Sequence, residues 1–323
     1  MTAAPPHLKL VFCGTPQFAV PALKALLGAG HEVGLVVSQP DRPAGRQQQL
    51  NPTPVKRAAT AAGLHVTQPE KIRSNAEFRA QLEAIAPDAI VVVAYGRIIP
   101  PWMLALPRLG CINLHASLLP KYRGAAPIQW AVARGDAFTG NTTMLLEEGL
   151  DTGPILLQQT HEIGLDQTSV ELFDILAEAG APLVVETLAG LAARTIKPQP
   201  QNHSFATFAP LLDREDGRID FAGRTAHEIY NRWRGFLPWP GAFTALDGKK
   251  LIVHRMVLAA APEREQPHAP LPSQISAGNH RLFVACAQNT WLELLELQLE
   301  GKKRLAAAEF LRGNPLGAEM RLG

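Results

Sequence analysis

The stretch Cys111–Trp130, CINLHASLLPKYRGAAPIQW, changes its periodicity part-way along. CINLHA reads as a short strand, and APIQWAVARG (residues 126–135) as a helix. Upstream, the same alternation recurs: LKLVFCG (Leu8–Gly14) is a buried strand, PALKALLGAG a helix ending in glycine and EVGLVVSQ a second buried strand. FRAQLEAIAP is then a helix and AIVVVAY a strand. Strands that are apolar on both faces and separated by helices require a sheet covered on both sides. The expected architecture is therefore a doubly wound, mostly parallel α/β domain.

Within that strand, Asn113 and His115 are out of place. A buried parallel strand disfavours polar side chains, since each unpaired polar group costs about 1–3 kcal/mol. Period two puts Asn113, His115 and Ser117 on one wall, with Ile112 and Leu114 on the packed side. Two readings stand side by side on pattern alone. The carboxyl ends of strands in open α/β sheets border a ligand crevice; alternatively, Asn113 caps a turn and His115 is a satisfied core histidine.

Downstream, EEGLDTGPILLQQ sets Asp151 between Gly149 and Gly153 and ahead of another strand. A carboxylate there is a turn residue or a functional one. Asp-Thr-Gly is also the aspartic-protease triplet, but that chemistry needs two such carboxylates sharing a proton, and the chain has one triplet in an α/β setting. The loop FCGTPQFAVPAL lacks the GxGxxG spacing of dinucleotide binding, and no Walker lysine loop, HExxH helix or GxSxG elbow occurs.

At 323 residues, with 46% hydrophobic and 19% charged residues, the chain reads as a soluble globular protein of two domains. Three cysteines with no CxxC spacing argue against a disulfide framework or structural zinc, and point to a reducing compartment. Neither a signal peptide nor an uninterrupted membrane span is expected. A net charge of +2 is too small to announce a nucleic-acid binder by itself.

Helical patterning from about Ser169 to Leu191, with a break expected near Gly180 and Pro182, closes the first domain. TIKPQPQNHSF then reads as a linker. From Phe208 onward, LIVHRMVLAA, RLFVACA and WLELLELQL read as strands of a small, mostly β barrel. Within it, HEIYNRWRGFLPWPGAF starts as a helix stopped by Pro238 and Pro240, and APEREQPHAPLPS is a loop. The expected boundaries are 1–193, a linker at 194–207 and 208–323.

The string Asn-x-His-x-Ser-Leu-Leu-Pro at Asn113–Pro120, followed by YRGAAPIQWA and by Leu-Asp-Thr-Gly at Leu150–Gly153, resembles the 10-formyltetrahydrofolate-dependent formyltransferases. VFCGTPQFAVPAL, SQPDRPAGR, NPTPVK, VVVAYGRIIP and LPWPGAF are similar, in order and spacing, to the branch of that family acting on methionyl-tRNA. The resemblance implies a Rossmann-like catalytic domain, a linker and an OB-like tRNA-binding barrel. It implies a cytoplasmic, monomeric enzyme that moves a formyl group from 10-formyltetrahydrofolate to the amino group of initiator methionyl-tRNA, without a metal. It assigns catalysis to Asn113, His115 and Asp151, and folate binding to Ser117, Leu118, Leu119 and Pro120. Attack by an amine on a formyl carbon develops a negative oxygen. Asn113 and His115 are expected to donate to that oxygen, with Asp151 orienting His115 and aiding proton loss.

The polar loop Pro40–Lys56 falls where the resembled family reaches into the tRNA acceptor stem. The usual Arg-Gly-Lys-Lys is here Arg46-Gln47-Gln48-Gln49, so fewer counterions would be released on binding. Arg42, Arg46 and Lys56 are the expected tRNA contacts of this loop. Arg232, Arg234, Lys249, Lys250, Lys302, Lys303 and Arg304 are expected on the barrel, unless they form an ordinary solvated face.

Overall fold

The computed structural model describes residues 7–44, 49–262, 270–314, 316–317 and 320–323. The chain divides into two compact, interleaved units: Met1–Pro127, Phe138–Glu162 and Glu171–Pro210 form the first, and Ile128–Ala137, Ile163–Val170 and Leu211–Gly323 the second. The single break expected at 194–207 is not found. That segment packs into the first unit instead, where Phe208–Ala209 pairs in parallel with Arg123–Gly124 and Gln201 is buried.

In the first unit, seven strands run in the spatial order Ile155–Glu162, Phe138–Leu145, Cys111–His115, Ala89–Val93, Lys9–Gly14, Glu32–Val37, Val66–Thr67. The last five are mutually parallel, while Phe138–Leu145 runs antiparallel to both its neighbours. Burial on both faces explains the unbroken apolar runs: all five residues of Ala89–Val93 are buried. One face packs Val11, Leu35, Ile90 and Val92 against Phe78, Leu82 and Met103. The helix carrying Phe78 and Leu82 starts at Ala76, where the Asn75 side chain accepts the Phe78 N–H.

Sequence patterning did not mark Phe138–Leu145 as a strand, because FTGNTTML buries polar residues. Most of its polar groups bond inward: Thr142 Oγ1 donates to Ser117 O (2.6 Å), Asn141 Nδ2 to Leu176 O (2.8 Å), and Thr143 pairs with Thr187 (2.7 Å), while Thr139 Oγ1 and Asn141 Oδ1 stay unpartnered among the described residues.

The helix Ser169–Ala192 runs unbroken through Pro182. Proline inside a helix costs about 3 kcal/mol, but here Leu172, Leu176, Val184 and Leu188 are all buried, each such side chain being worth about 1.5–3 kcal/mol. Gly180 lets this helix approach the sheet: a Cβ there would lie 2.7 Å from Leu114. The helix is long and apolar enough to cross a membrane by length and composition; its buried stripe is that of a core helix.

The second unit holds a six-stranded antiparallel sheet in the order Phe243–Leu246, Lys249–Ala259, Trp291–Leu299, Arg281–Ala285, Ile275–Gly278, with Leu305–Ala306 pairing to Trp291–Leu299. Its core joins Val253, Met256, Leu292 and Leu294 to Ile229, Tyr230 and Trp233 of the helix Ala226–Gly235. That helix opens with a capping box between Thr225 and Glu228 and ends at Gly235, ahead of the expected stop at Pro238.

Candidate active site

Asn113 and His115 lie on the strand Cys111–His115, at the carboxyl end of the parallel part of the sheet. They stay 9% and 6% exposed, so both are desolvated without being sealed off. Among the described residues, no side-chain hydrogen bond engages the Asn113 amide. His115 is held: its Nε2 lies 2.9 Å from Tyr122 O. A carbonyl only accepts, so Nε2 carries the proton and, in the neutral ring, Nδ1 carries the lone pair.

That lone pair faces Asp151, whose Oδ2 is 3.8 Å from Nδ1. The separation exceeds a hydrogen bond but suits attraction to a protonated ring. The same oxygen accepts the Gly124 N–H at 2.8 Å. Asp151 sits in a turn with φ +50°, reached past Gly149, as the turn reading of the sequence expects. The structure thus brings His115 and Asp151 together, through backbone groups on either side of Arg123.

The strand ends at His115, so the alternation does not extend to Ser117. Ser117 is fully buried, and its Oγ donates to Lys121 O (2.7 Å). Leu119 is buried, with its N–H on Thr142 Oγ1 and its carbonyl accepting from Gln158 Nε2. Leu118 and Pro120 are half-buried. Of the four residues expected to bind folate, Leu118 and Pro120 are thus the less buried.

Patterning also missed Arg123, Gly124 and Gln201. Buried Arg123 donates through Nε and Nη2 to Gln201 Oε1 (3.2 and 2.6 Å), while Gln201 Nε2 donates to Asp151 O (2.9 Å) and Gly153 O (2.7 Å). A glycine after Tyr-Arg was the one visible signal. Gly124 has φ +122°, and a Cβ there would meet Ala209 O at 2.6 Å.

The expected tRNA contacts divide. Arg42 is exposed on the short strand Arg42–Ala44, which pairs antiparallel with Gln49–Asn51; Arg46 lies outside the described residues. Lys56 is not a free cation: it sits in the helix Pro54–Ala61, with Nζ 2.5 Å from Asp41 and 2.6 Å from Gln68 Oε1. Arg234 is also withdrawn, being buried on Asn231 Oδ1 and the carbonyls of Gly164 and Gln167. Arg232 donates to Asp216 O and lies over the Phe236 ring, and Lys250 lies over Phe243. Lys249, Lys302 and Lys303 are exposed; Arg304, also exposed, pairs with Glu296. Among the described residues, no group of three or more histidine, cysteine or acidic side chains is arranged to hold a metal ion.

Residues 8–188 match the family described as "Formyl transferase", and residues 211–315 match "Formyl transferase, C-terminal domain". The chain is 66% identical over 316 residues to the methionyl-tRNA formyltransferase of Acidobacterium capsulatum, covering 98% of this chain and 100% of that one. It is 57% identical over 314 residues to the methionyl-tRNA formyltransferase of Koribacter versatilis, covering 97% and 98%. Among solved structures, an N-formyltransferase from Helicobacter canadensis in complex with folinic acid and dTDP-3-aminofucose superposes with a TM-score of 0.65 at 18% identity, over 89% of this chain and 98% of that one. HypX from Aquifex aeolicus in complex with tetrahydrofolic acid does so with a TM-score of 0.60 at 16% identity, over 95% of this chain and 47% of that one. At such identities the likeness is one of fold.

Proposed function

The chain belongs to the formyltransferase family, and from that premise we propose that it transfers the formyl group of 10-formyltetrahydrofolate to the free amino group of initiator methionyl-tRNA. The reading is carried by one observation: an unengaged amide at Asn113 lies one side chain along the strand from a histidine whose basic nitrogen faces a carboxylate. Full-length similarity to methionyl-tRNA formyltransferases supplies the acceptor.

10-Formyltetrahydrofolate brings the one-carbon unit on a nitrogen able to leave. The site suits it, because a desolvated amide with free N–H groups has no internal partner to give up. Asn113 donates to the formyl oxygen as negative charge develops there, which is worth more in a dry site than in water. His115 does not share this task as expected, since its one N–H is spent on Tyr122 O. Its role is at Nδ1, which takes the proton that the attacking amine must lose as the new C–N bond forms. Asp151 then stabilises the imidazolium across 3.8 Å. As the C–N bond to the folate breaks, the same proton passes to the departing nitrogen, leaving His115 neutral.

The first unit is read as the catalytic domain, with Arg42 as its tRNA contact, and the second as an OB-like domain contacting the tRNA through Lys249, Lys302, Lys303 and Arg304. Free, buried Cys13, Cys111 and Cys286 fit a reducing cytoplasm, where we place the enzyme as a monomer. The test is acceptor choice. With formyl donor present, charged initiator tRNA should be formylated, and uncharged tRNA, free methionine and an amino-sugar nucleotide should not. Comparable transfer to free methionine or to the sugar, or donor hydrolysis alone, would overturn the reading.

A further inference from the structure

The residues that anchor His115 and Asp151 are themselves held by a segment that looks like a linker. Tyr122 O anchors His115, and Gly124 N–H anchors Asp151. Tyr122, Gly124 and Asp151 all have positive φ, at +61°, +122° and +50°. For the two that are not glycine, Tyr122 and Asp151, such backbone persists only where its surroundings over-determine it. Around Tyr122 and Arg123 the restraint comes from residue 207: Tyr122 N–H donates to Thr207 Oγ1 and Arg123 N–H to Thr207 O, both at 2.9 Å. Around Asp151 it comes from residue 201.

We propose that Gln201 is a positioning residue for catalysis, its single amide fixing the Asp151 turn to Arg123 and so setting the distance between Asp151 and His115. The Gln201 carboxamide uses both ends: Nε2 donates to the carbonyls of Asp151 and Gly153, and Oε1 accepts two N–H groups of Arg123. Arg123 lies between the residue that holds His115 and the residue that holds Asp151. A shift at Gln201 therefore moves the two catalytic side chains relative to each other. Arg123 suits the task, because its rigid fork holds an amide oxygen in one direction where a lysine would pivot. Among the described residues it has no carboxylate partner, and its remaining bond is Nη2 to His203 Nδ1 at 3.1 Å. Its charge is thus spent on orientation rather than on an ion pair.

The inference rests on the assignment of Asp151 and His115 to catalysis, so its test includes Asp151→Asn. Gln201→Glu keeps the contact with Arg123 and replaces the two donated hydrogens by an anion against two carbonyls; Gln201→Met removes every bond at nearly constant volume. With 10-formyltetrahydrofolate and charged initiator tRNA, Gln201→Glu should lower kcat at least tenfold, with KM for each substrate within about twofold. The pH profile of kcat should shift, because the charge facing His115 Nδ1 has moved. Gln201→Met should do the same where it folds, and Arg123→Lys should give an intermediate loss. A folded Gln201→Glu with kcat within twofold of the parent and an unmoved pH profile would overturn the proposal. So would a loss confined to KM, or one that tracks only a lowered Tm. Undiminished turnover in Asp151→Asn would instead overturn the catalytic assignment itself.

Discussion

Replacing Gly124 by alanine should disturb folding and catalysis together, whereas removing a catalytic side chain should disturb catalysis alone. The added Cβ would sit 2.6 Å from Ala209 O and 3.2 Å from Ala209 C. A carbon and a carbonyl oxygen rest at about 3.3 Å or more, so the two backbones must part by roughly 0.7 Å. Both are backbone atoms in a paired bridge, so neither can rotate away as a side chain would. An L-residue at φ +122° adds about 1–3 kcal/mol of strain. Moving Gly124 N–H by the same amount stretches its 2.8 Å bond to Asp151 Oδ2 beyond useful length, and a hydrogen bond to a charged group is worth about 1.5–3 kcal/mol. Gly124→Ala should therefore lower stability by about 2.5–6 kcal/mol, the sum of these two contributions, read as the urea midpoint. In the fraction that remains folded, kcat should fall by about 100-fold, because Asp151 has lost its anchor. A variant within 0.5 kcal/mol of the parent, on the order of ordinary surface substitutions, with unchanged kcat would refute the account of how Asp151 is held.

Asn113→Ala, His115→Ala and Asp151→Asn should each lower kcat by about 100- to 1,000-fold while circular dichroism shows a retained fold; near-normal turnover in any one would remove that residue from the mechanism. Asp41 accepts from Gln68 and Lys56, and these bonds hold its carboxyl below the usual value of 3.8. A carboxyl lowered in the folded state stabilises the protein above its unfolded pKa and loses that contribution as pH falls through the folded one. Asp41→Asn should accordingly cost about 1 kcal/mol at pH 7 and less below about pH 4, measured by urea unfolding across that range. Changing Lys302, Lys303 and Arg304 together to alanine should flatten the slope of log affinity against log salt by up to about 3, at about 0.9 per phosphate contact; an unaltered slope would clear this face of tRNA contact.

Much of this was open to reading because burial leaves a mark on the sequence. Ala89–Val93 and Cys111–His115 are central strands, so their apolar runs announce a covered sheet, and Asn113 and His115 stand out against that background. The same rule hid Phe138–Leu145, where Asn141 and Thr143 are buried by pairing with groups far along the chain. Charge was a poorer guide. Lys56 and Arg234 are as cationic as Lys302, yet Asp41 holds the first inward and the distant carbonyls of Gly164 and Gln167 the second, and composition carries no record of such partners. Residues 194–207 deceived for a related reason. Their proline and polar content mimics a tether, whereas Gln201 and Thr207 use that polarity to bond backbone roughly 50 and 85 positions earlier.

The interleaving of the two units also sets an order of events at the ribosome. Trp130, whose ring meets Phe236 edge-on, is made about a hundred residues before its partner, and Asp166 precedes Tyr230, whose hydroxyl it accepts, by 64. At 5–20 residues per second, the earlier pieces wait for several seconds with their partners unsynthesised. Neither unit can therefore be severed at one bond and keep all its own parts. A gene fusion or truncation placed near residue 200 would strand Ile128–Ala137 and Ile163–Val170 on the wrong fragment.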